Sequence, residues 1–299
     1  MLSICIPIYN FDVNPLVSAL GKQMSKIRDN IELILIDDAS NESFKEKNEV
    51  ICRQYHYIKL KENIGRSSIR NLFLKYAKFE YLLFLDCDSL IIDDDFLSKY
   101  LEELNNKSEP VICGGRVYQT KAPEANKMLR WKYGVKKESQ TANIRKQAPN
   151  HSFMTNNFVV RKDLLQNIQF DERLKNYGHE DTLFGFELLK KGISISHINN
   201  PVDNGDIEDN EVFLEKTEKG IENLSIILDN MNQDPQFIDM VTLIKVYRKF
   251  RSLHLLWLIS LIYLLSRRLM EYTLINGPYC LWAFGFYKLG LLTQIRRKK

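Results

Sequence analysis

The chain has 299 residues, 44% of them apolar and 27% charged, with a net charge of +4. That length suits one large domain, or one domain with an appendage, and the composition excludes a disordered or collagen-like chain. The charge is unevenly placed: from Lys245 onward eleven Lys/Arg face one acid, Glu271, a surplus of +10 that leaves −6 on the first 244 residues. Five scattered cysteines (Cys5, Cys52, Cys87, Cys113, Cys280) form no C-x-x-C pair, which points to a reducing compartment and away from a zinc site.

Met1 leads almost directly into a strand pattern at Ser3–Tyr9, so no signal peptide is expected. Further strand patterns follow at Glu32–Asp37, Tyr57–Leu60 and Tyr81–Asp86, separated by helix patterns at Val13–Met24, Ser43–Tyr55 and Arg66–Lys78. Such alternation predicts an α/β fold, a mostly parallel sheet with helices on both faces. Phe96–Leu104 reads as a helix and Val111–Tyr118 as a strand, with Gly114-Gly115 where a backbone could approach a ligand. Lys121–Asn150 is polar and basic and is expected to be a loop or mobile flap. Phe158–Arg161 reads as a strand, Thr182–Lys191 as a helix, Ile193–Asn199 as a strand, Asn200–Asp209 as turns and Val212–Asn230 as an amphipathic helix. Asn232-Gln233-Asp234-Pro235 marks a break before the tail. The expected division is a catalytic domain over 1–210 and a C-terminal helical region over 211–299.

Chemistry gathers at the ends of these strands. Asp86 and Asp88 follow the apolar run Tyr81–Leu85, and alternation along a continuing strand would aim both at one ion. Two adjacent carboxylates repel unless a cation lies between them, and oxygen ligands suit magnesium or manganese. Cys87 lies between the acids, whose charge would raise its pKa, so it is not read as a nucleophile. Asp37-Asp38 also end a strand, where they could accept from a base imide or ribose hydroxyl, or Asp38 or Ser40 could cap a helix. In Asn63–Asn71, Gly65 permits a tight turn, the helix N-terminus favours anions, and Arg70 falls one turn in. Tyr177-Gly178-His179-Glu180-Asp181 puts two acids at a helix start, where one could serve as general base or both could complement the helix dipole.

Ile6-Pro7-Ile8-Tyr9-Asn10, Ile36-Asp37-Asp38-Ala39-Ser40, Asn63-x-Gly65 through Arg70-Asn71, Asp86-x-Asp88 and Gly178-His179-Glu180-Asp181, in this order, resemble a family 2 glycosyltransferase of the GT-A fold. The resemblance covers about the first 210 residues. It implies an inverting, Mn2+- or Mg2+-dependent transfer from a nucleotide-activated sugar, usually UDP-linked, to an acceptor hydroxyl in cell-surface polysaccharide or lipid-linked glycan synthesis. It implies that Pro7 and Tyr9 line the nucleoside pocket, Asp37 meets uracil, and Arg70 meets the base or phosphates. Asp86 would touch ribose or metal, and Asp88 would bind metal directly. Gly114 and Gly115 would lie near the donor sugar. Asp181 would be the base, and Glu180 would bind the acceptor or orient the loop. Relatives often carry a metal-binding histidine after an Asn-Pro pair; here Asn204 falls at or near that position, with Asp203 or Asp206 as alternatives, and His197 reads as a core residue.

The tail mixes basic residues with Trp257, Tyr263, Tyr279 and Trp282 and ends in Arg296-Arg297-Lys298-Lys299. Its uncharged stretch Ser252–Ser266 falls short of the roughly 20 residues that span a bilayer. Aromatic and long aliphatic runs beside cations favour peripheral contact with anionic lipid over nucleic acid, and hence a cytoplasmic protein on the inner face of its membrane. A buried helical cap or a dimer contact would also fit the tail. Two rival functions are a catalytically silent sugar-nucleotide-binding module and a sugar nucleotidyltransferase. The latter would normally show a Gly-rich, basic N-terminal loop, which is absent around Pro7–Asn10.

Overall fold

A computed structural model describes residues 1–27, 30–106, 109–174, 178–231 and 234–297. Tyr177, the Asn232-Gln233 half of the expected break and the terminal Lys298-Lys299 lie outside the described residues. The chain divides into two compact units. The first holds 1–119, 138–175 and 180–206; the second holds 120–137, 176–179 and 207–299. The units are discontinuous in sequence, unlike the single boundary expected at residue 210.

In chain order the first unit begins β1 (Leu2–Ile8), α1 (Asn14–Met24), β2 (Ile31–Asp37), α2 (Glu42–Cys52), β3 (His56–Lys59) and α3 (Arg66–Tyr76). It continues with β4 (Tyr81–Leu85), β5 (Ser89–Ile91), α4 (Phe96–Asn106), β6 (Val111–Cys113) and β7 (Arg116–Val117). After α5 (Met128–Tyr133), which belongs to the second unit, come α6 (Ala142–Arg145), β8 (Asn157–Arg161), α7 (Lys162–Asn167), α8 (Glu180–Lys190), β9 (Ser196–His197) and β10 (Val202–Asn204).

A seven-stranded sheet runs β3-β2-β1-β4-β8-β6-β9. Its first four strands are parallel, and β8 enters antiparallel to both β4 and β6. Alternation sorts the core onto two faces. Leu2, Ile4, Ile6 and Ile8 of β1 join Leu83 and Leu85 on one side, while Cys5 joins Leu82 and Phe84 on the other. Each such fully buried Leu or Phe contributes about 1.5–3 kcal/mol. Strand order reverses at β1, with β2 on one flank and β4 on the other, and crevices for ligands open at the C-terminal ends of such strands. Tyr9-Asn10 leaves β1 and Asp86 leaves β4 at that switch point.

Three expectations are corrected here. Val111–Tyr118 is not one strand: Gly115, at φ +96°, turns the chain, and Arg116–Val117 pairs in a second sheet of order β5-β10-β7. The turn-rich stretch after Asn200 contains β10, which is antiparallel to β5. Lys121–Asn150 is not a loop, since it folds into α5, α6 and short turns of helix around them. Its helices hide their apolar period because they are only 4 and 6 residues long.

The second unit contains α5, α9 (Asn210–Asn230), α10 (Pro235–Met240), α11 (Thr242–Ser252), α12 (Leu256–Asn276) and α13 (Leu281–Arg297). Its core joins Leu129, Phe213, Leu214, Tyr263, Met270, Leu274, Phe284 and Tyr287. Asn210 ties these elements together, accepting from Leu129 N–H at 2.8 Å and donating to the carbonyls of Ala125 (2.9 Å) and Ile275 (2.8 Å).

Candidate active site

Every residue singled out for the site falls in the first unit. Pro7 lies in β1 opposite Ile36, and Tyr9 is exposed just beyond the strand. Asp37 ends β2, fully buried; its Oδ1 accepts from Ser40 N–H at 2.7 Å, and its Oδ2 has no hydrogen-bond partner among the described residues. A buried acceptor without a donor is costly, and a base imide would supply one.

Asp38 is not a helix cap, and sequence reasoning missed its task. Its two oxygens accept from Ile64 N–H (2.8 Å) and Gly65 N–H (3.1 Å), which fastens the turn that starts α3. Burial raises its pKa, and those two bonds oppose the rise. Ser40 likewise caps nothing; its Oγ accepts from Asn10 N–H at 2.9 Å. Gly65 (φ +83°) lets the chain enter α3 at Arg66.

Arg70 is 2% exposed; two of its nitrogens are engaged by protein groups, and its Nε has no partner among the described residues. Nη2 donates to Asp86 Oδ1 at 2.9 Å and Nη1 to the Arg66 carbonyl at 3.3 Å, with the guanidinium 5.6 Å from the centre of the Phe170 ring. The neighbouring Asn71 clamps the Phe170 backbone, donating to its carbonyl at 2.9 Å and accepting from its N–H at 3.0 Å.

Asp86 and Asp88 do not continue a strand. Asp86 N–H donates to Asn156 O at 3.1 Å as β4 ends, and Ser89 N–H closes a turn onto Asp86 O at 3.1 Å. Asp86 is flanked by two cations, Arg70 and Arg116, the latter at 4.0 Å. Burial raises the pKa of Asp88, and the Asp86 charge adds to this; Arg116 and Arg66 offset part of it. Arg66, partly exposed at the head of α3, also stands 3.7 Å from Glu180. Cys87 is pushed up to about 12, by burial first and by its two acid neighbours second, so it stays a thiol.

Gly114 and Gly115 are required by protein groups. A Cβ on Gly114 would collide with the Tyr100 hydroxyl, Asn200 O and Asn157 Nδ2, and one on Gly115 with the Arg145 guanidinium. Asn157 lies behind both, donating to the carbonyls of Gly115 (3.0 Å) and Asn200 (2.8 Å). His197 is a core residue: Nδ1 accepts from Arg145 Nε at 3.1 Å and Nε2 faces Pro149 O at 2.9 Å. Burial lowers its pKa to about 4, so it is neutral, and the Arg145 donation leaves Nε2–H to donate.

Pairing of β10 with β5 sets Asn204 opposite Ser89, and Gly205 N–H donates to Asp88 O at 3.0 Å. Asn204 Nδ2 donates to Asp206 O at 3.2 Å, which leaves Oδ1 as its ligand atom. Asp203 is buried beside it, and its Oδ1 has no partner among the described residues. Among the described residues no three His, Cys, Asp or Glu side chains converge as a metal site. The hard oxygens of Asp88, Asp86 and Asn204 therefore fit magnesium or manganese only as a partial shell, to be completed by substrate oxygens and water.

Glu180 and Asp181 open α8. Asp181 Oδ1 accepts from Thr182 N–H at 2.6 Å. Burial first and the Glu180 charge second raise its pKa from 3.8 to about 6, although the residue retains some exposure. That value suits a group that must take a proton near neutrality. Asn156, which no motif announced, is 4% exposed, and neither polar atom of its amide has a partner among the described residues. Arg66 and Arg116 were also missed, although Arg66 directly follows the glycine read as a tight turn and Arg116 the pair read as a close-approach point.

The family model of glycosyl transferase family 2 matches residues 3–169. The chain belongs to that family. It is 32% identical over 187 residues to the minor teichoic acid biosynthesis protein GgaB of Bacillus subtilis (strain 168), covering 58% of this chain but 19% of GgaB. The family 2 chain thus spans about a fifth of that relative's length. In structure it is similar to the mannosyltransferase PcManGT from Pyrobaculum calidifontis in complex with GDP-Man and Mn2+ (TM-score 0.60, 14% identity, 99% of this chain and 86% of that one). It is also similar to S. aureus TarS 1-349 in complex with UDP-GlcNAc (TM-score 0.51, 17% identity, 100% and 92%). At such identities the likeness establishes the fold, which is GT-A.

Proposed function

We propose that this chain moves a sugar from a nucleotide-sugar donor, UDP-linked, to an acceptor hydroxyl with inversion, in the synthesis of a cell-surface polysaccharide or lipid-linked glycan. The observation that carries this reading is the acid pair Asp86/Asp88 at the switch point of a family 2 sheet, with both side chains half-buried and the Asp88 charge only partly offset by Arg116 and Arg66. Support comes from the names of the similar proteins: a teichoic acid biosynthesis protein, and structures holding UDP-GlcNAc or GDP-Man with Mn2+.

In this reading Asp37 accepts from the uracil imide, and Pro7 and Tyr9 flank the nucleoside. Asp88, with Asp86 and Asn204, would hold a divalent cation, which would stabilise charge on the departing diphosphate. Asp86, already held by Arg70 and Arg116, contributes less than Asp88. Arg70 positions Asp86 rather than touching substrate, and Arg66 adds positive charge at the N-terminus of α3. Asn156 offers a donor and an acceptor to a sugar hydroxyl. Asp181 takes the acceptor hydroxyl proton as that oxygen attacks C1, and the C1–O bond breaks with its electron pair leaving on the diphosphate. Glu180 raises the basicity of Asp181 and keeps Arg66 close.

The test is a panel of UDP- and GDP-sugars with Mn2+, read as nucleotide release with and without saccharide acceptors. One donor should be turned over above the rest, and the chelator EDTA should stop it. Nucleotide binding without release from any donor would make the chain a silent binding module and sink the proposal.

A further inference from the structure

Helix α12 is apolar on both of its sides, although only one side meets the rest of its unit. Ile259, Tyr263, Met270 and Leu274 are buried and repeat at helical spacing. On the opposite side Trp257, Leu261, Leu264, Leu265, Leu269 and Tyr272 are all exposed, Leu265 to 81% and Leu269 to 66%. At 100° per residue these six fall within about 140° of one another, along about 22 Å of helix. An exposed apolar stripe of that extent marks a binding surface.

Cations outnumber acids along the stripe, which Glu271 borders on one edge. Arg268 interrupts it, and Lys249 and Arg251 end α11, the preceding helix of the same unit. The one acid of the tail, Glu271, is engaged by Arg267 at 2.6 Å and by the Tyr287 hydroxyl at 3.0 Å. A second copy packed two-fold on this face would set the same cations against themselves. An anionic bilayer surface accepts both parts: aliphatic side chains enter the acyl boundary, Trp and Tyr sit at headgroup depth, and Lys and Arg meet phosphate. Among the described residues no single helix is long and apolar enough to cross a membrane. The pair α11 and α12 passes that test only together, bent by 117°.

We propose that α12 lies in the plane of an anionic membrane surface, inserted by its Trp257–Tyr272 face and held there by Lys249, Arg251 and Arg268. This contact does not depend on the donor or acceptor assigned above.

The test is co-sedimentation of the full chain with phosphatidylcholine vesicles, with or without one-third phosphatidylglycerol. Three cations at the surface should favour the anionic vesicles by about a hundredfold. Leu265→Asp with Leu269→Asp should lower that binding at least tenfold without moving the thermal melt, since both side chains are exposed. Replacing Lys249, Arg251 and Arg268 by Gln should bring anionic binding down to the phosphatidylcholine level. Absence of pelleting, or equal pelleting by all variants, would overturn the proposal. So would a wild-type dimer that Leu265→Asp splits into monomers, because a second copy would then cover the face.

Discussion

Replacing Asp181 by Asn separates catalysis from stability. Asn keeps an Oδ1 acceptor for the Thr182 N–H that opens α8, so the helix start survives. It removes a carboxylate whose pKa is raised from 3.8 to about 6, mainly by burial. Between those values the folded state holds a proton that the unfolded chain has released, so stability falls as pH rises from 4 to 6 and stays lowered above 6. The difference corresponds to at most about 3 kcal/mol, and partial exposure of the residue reduces it to about 1–2 kcal/mol. The variant should therefore melt higher than wild type at pH 7, by roughly 2–4 °C per kcal/mol, and equally at pH 4. Transfer should fall by about 10²–10⁴, the usual worth of a general base, while UDP affinity holds. Wild-type kcat/KM should rise with pH and level off above about 6. Differential scanning fluorimetry at both pH values, calorimetric UDP binding and a transfer assay give the four readings. Retained transfer, or a melt that drops at pH 7, would show that Asp181 is a structural carboxylate.

Asp88→Ala should weaken UDP binding at least tenfold when Mn2+ is present and leave it unchanged in EDTA, measured by calorimetry; equal loss in both would remove the cation from Asp88. Gly115→Ala forces a Cβ into the Arg145 guanidinium at φ +96° and should destabilise the fold by about 2–3 kcal/mol, read from urea unfolding. Asn156→Ala should cut transfer tenfold or more with UDP affinity unchanged, because its amide has no partner among the described residues to lose; a lowered melt with normal transfer would make it a core residue.

The parallel strands and the order of motifs were legible because apolar runs ending in Asp, Gly or Asn are local patterns. Arg70 shows where legibility stopped. Its spacing from Gly65 promised a reach toward ligand, but its partner is Asp86, sixteen residues away. Gly114-Gly115 suggested a ligand, while the groups that exclude a Cβ there come from Tyr100, Arg145, Asn157 and Asn200. Lys121–Asn150 looked structureless because its helices are too short to show a period.

By itself the order of residues determined the family, the two-faced sheet and the list of acids at the strand ends, because side-chain alternation and turn chemistry act between near neighbours. Tertiary structure alone decided the company those acids keep: Arg70 and Arg116 on Asp86, the two backbone N–H groups on Asp38, and the burial that brings Asp181 to about 6. It also decided which side of α12 faces solvent. Proton affinity and exposure are set by whatever surrounds a group in space, and that surrounding is drawn from segments far apart along the chain.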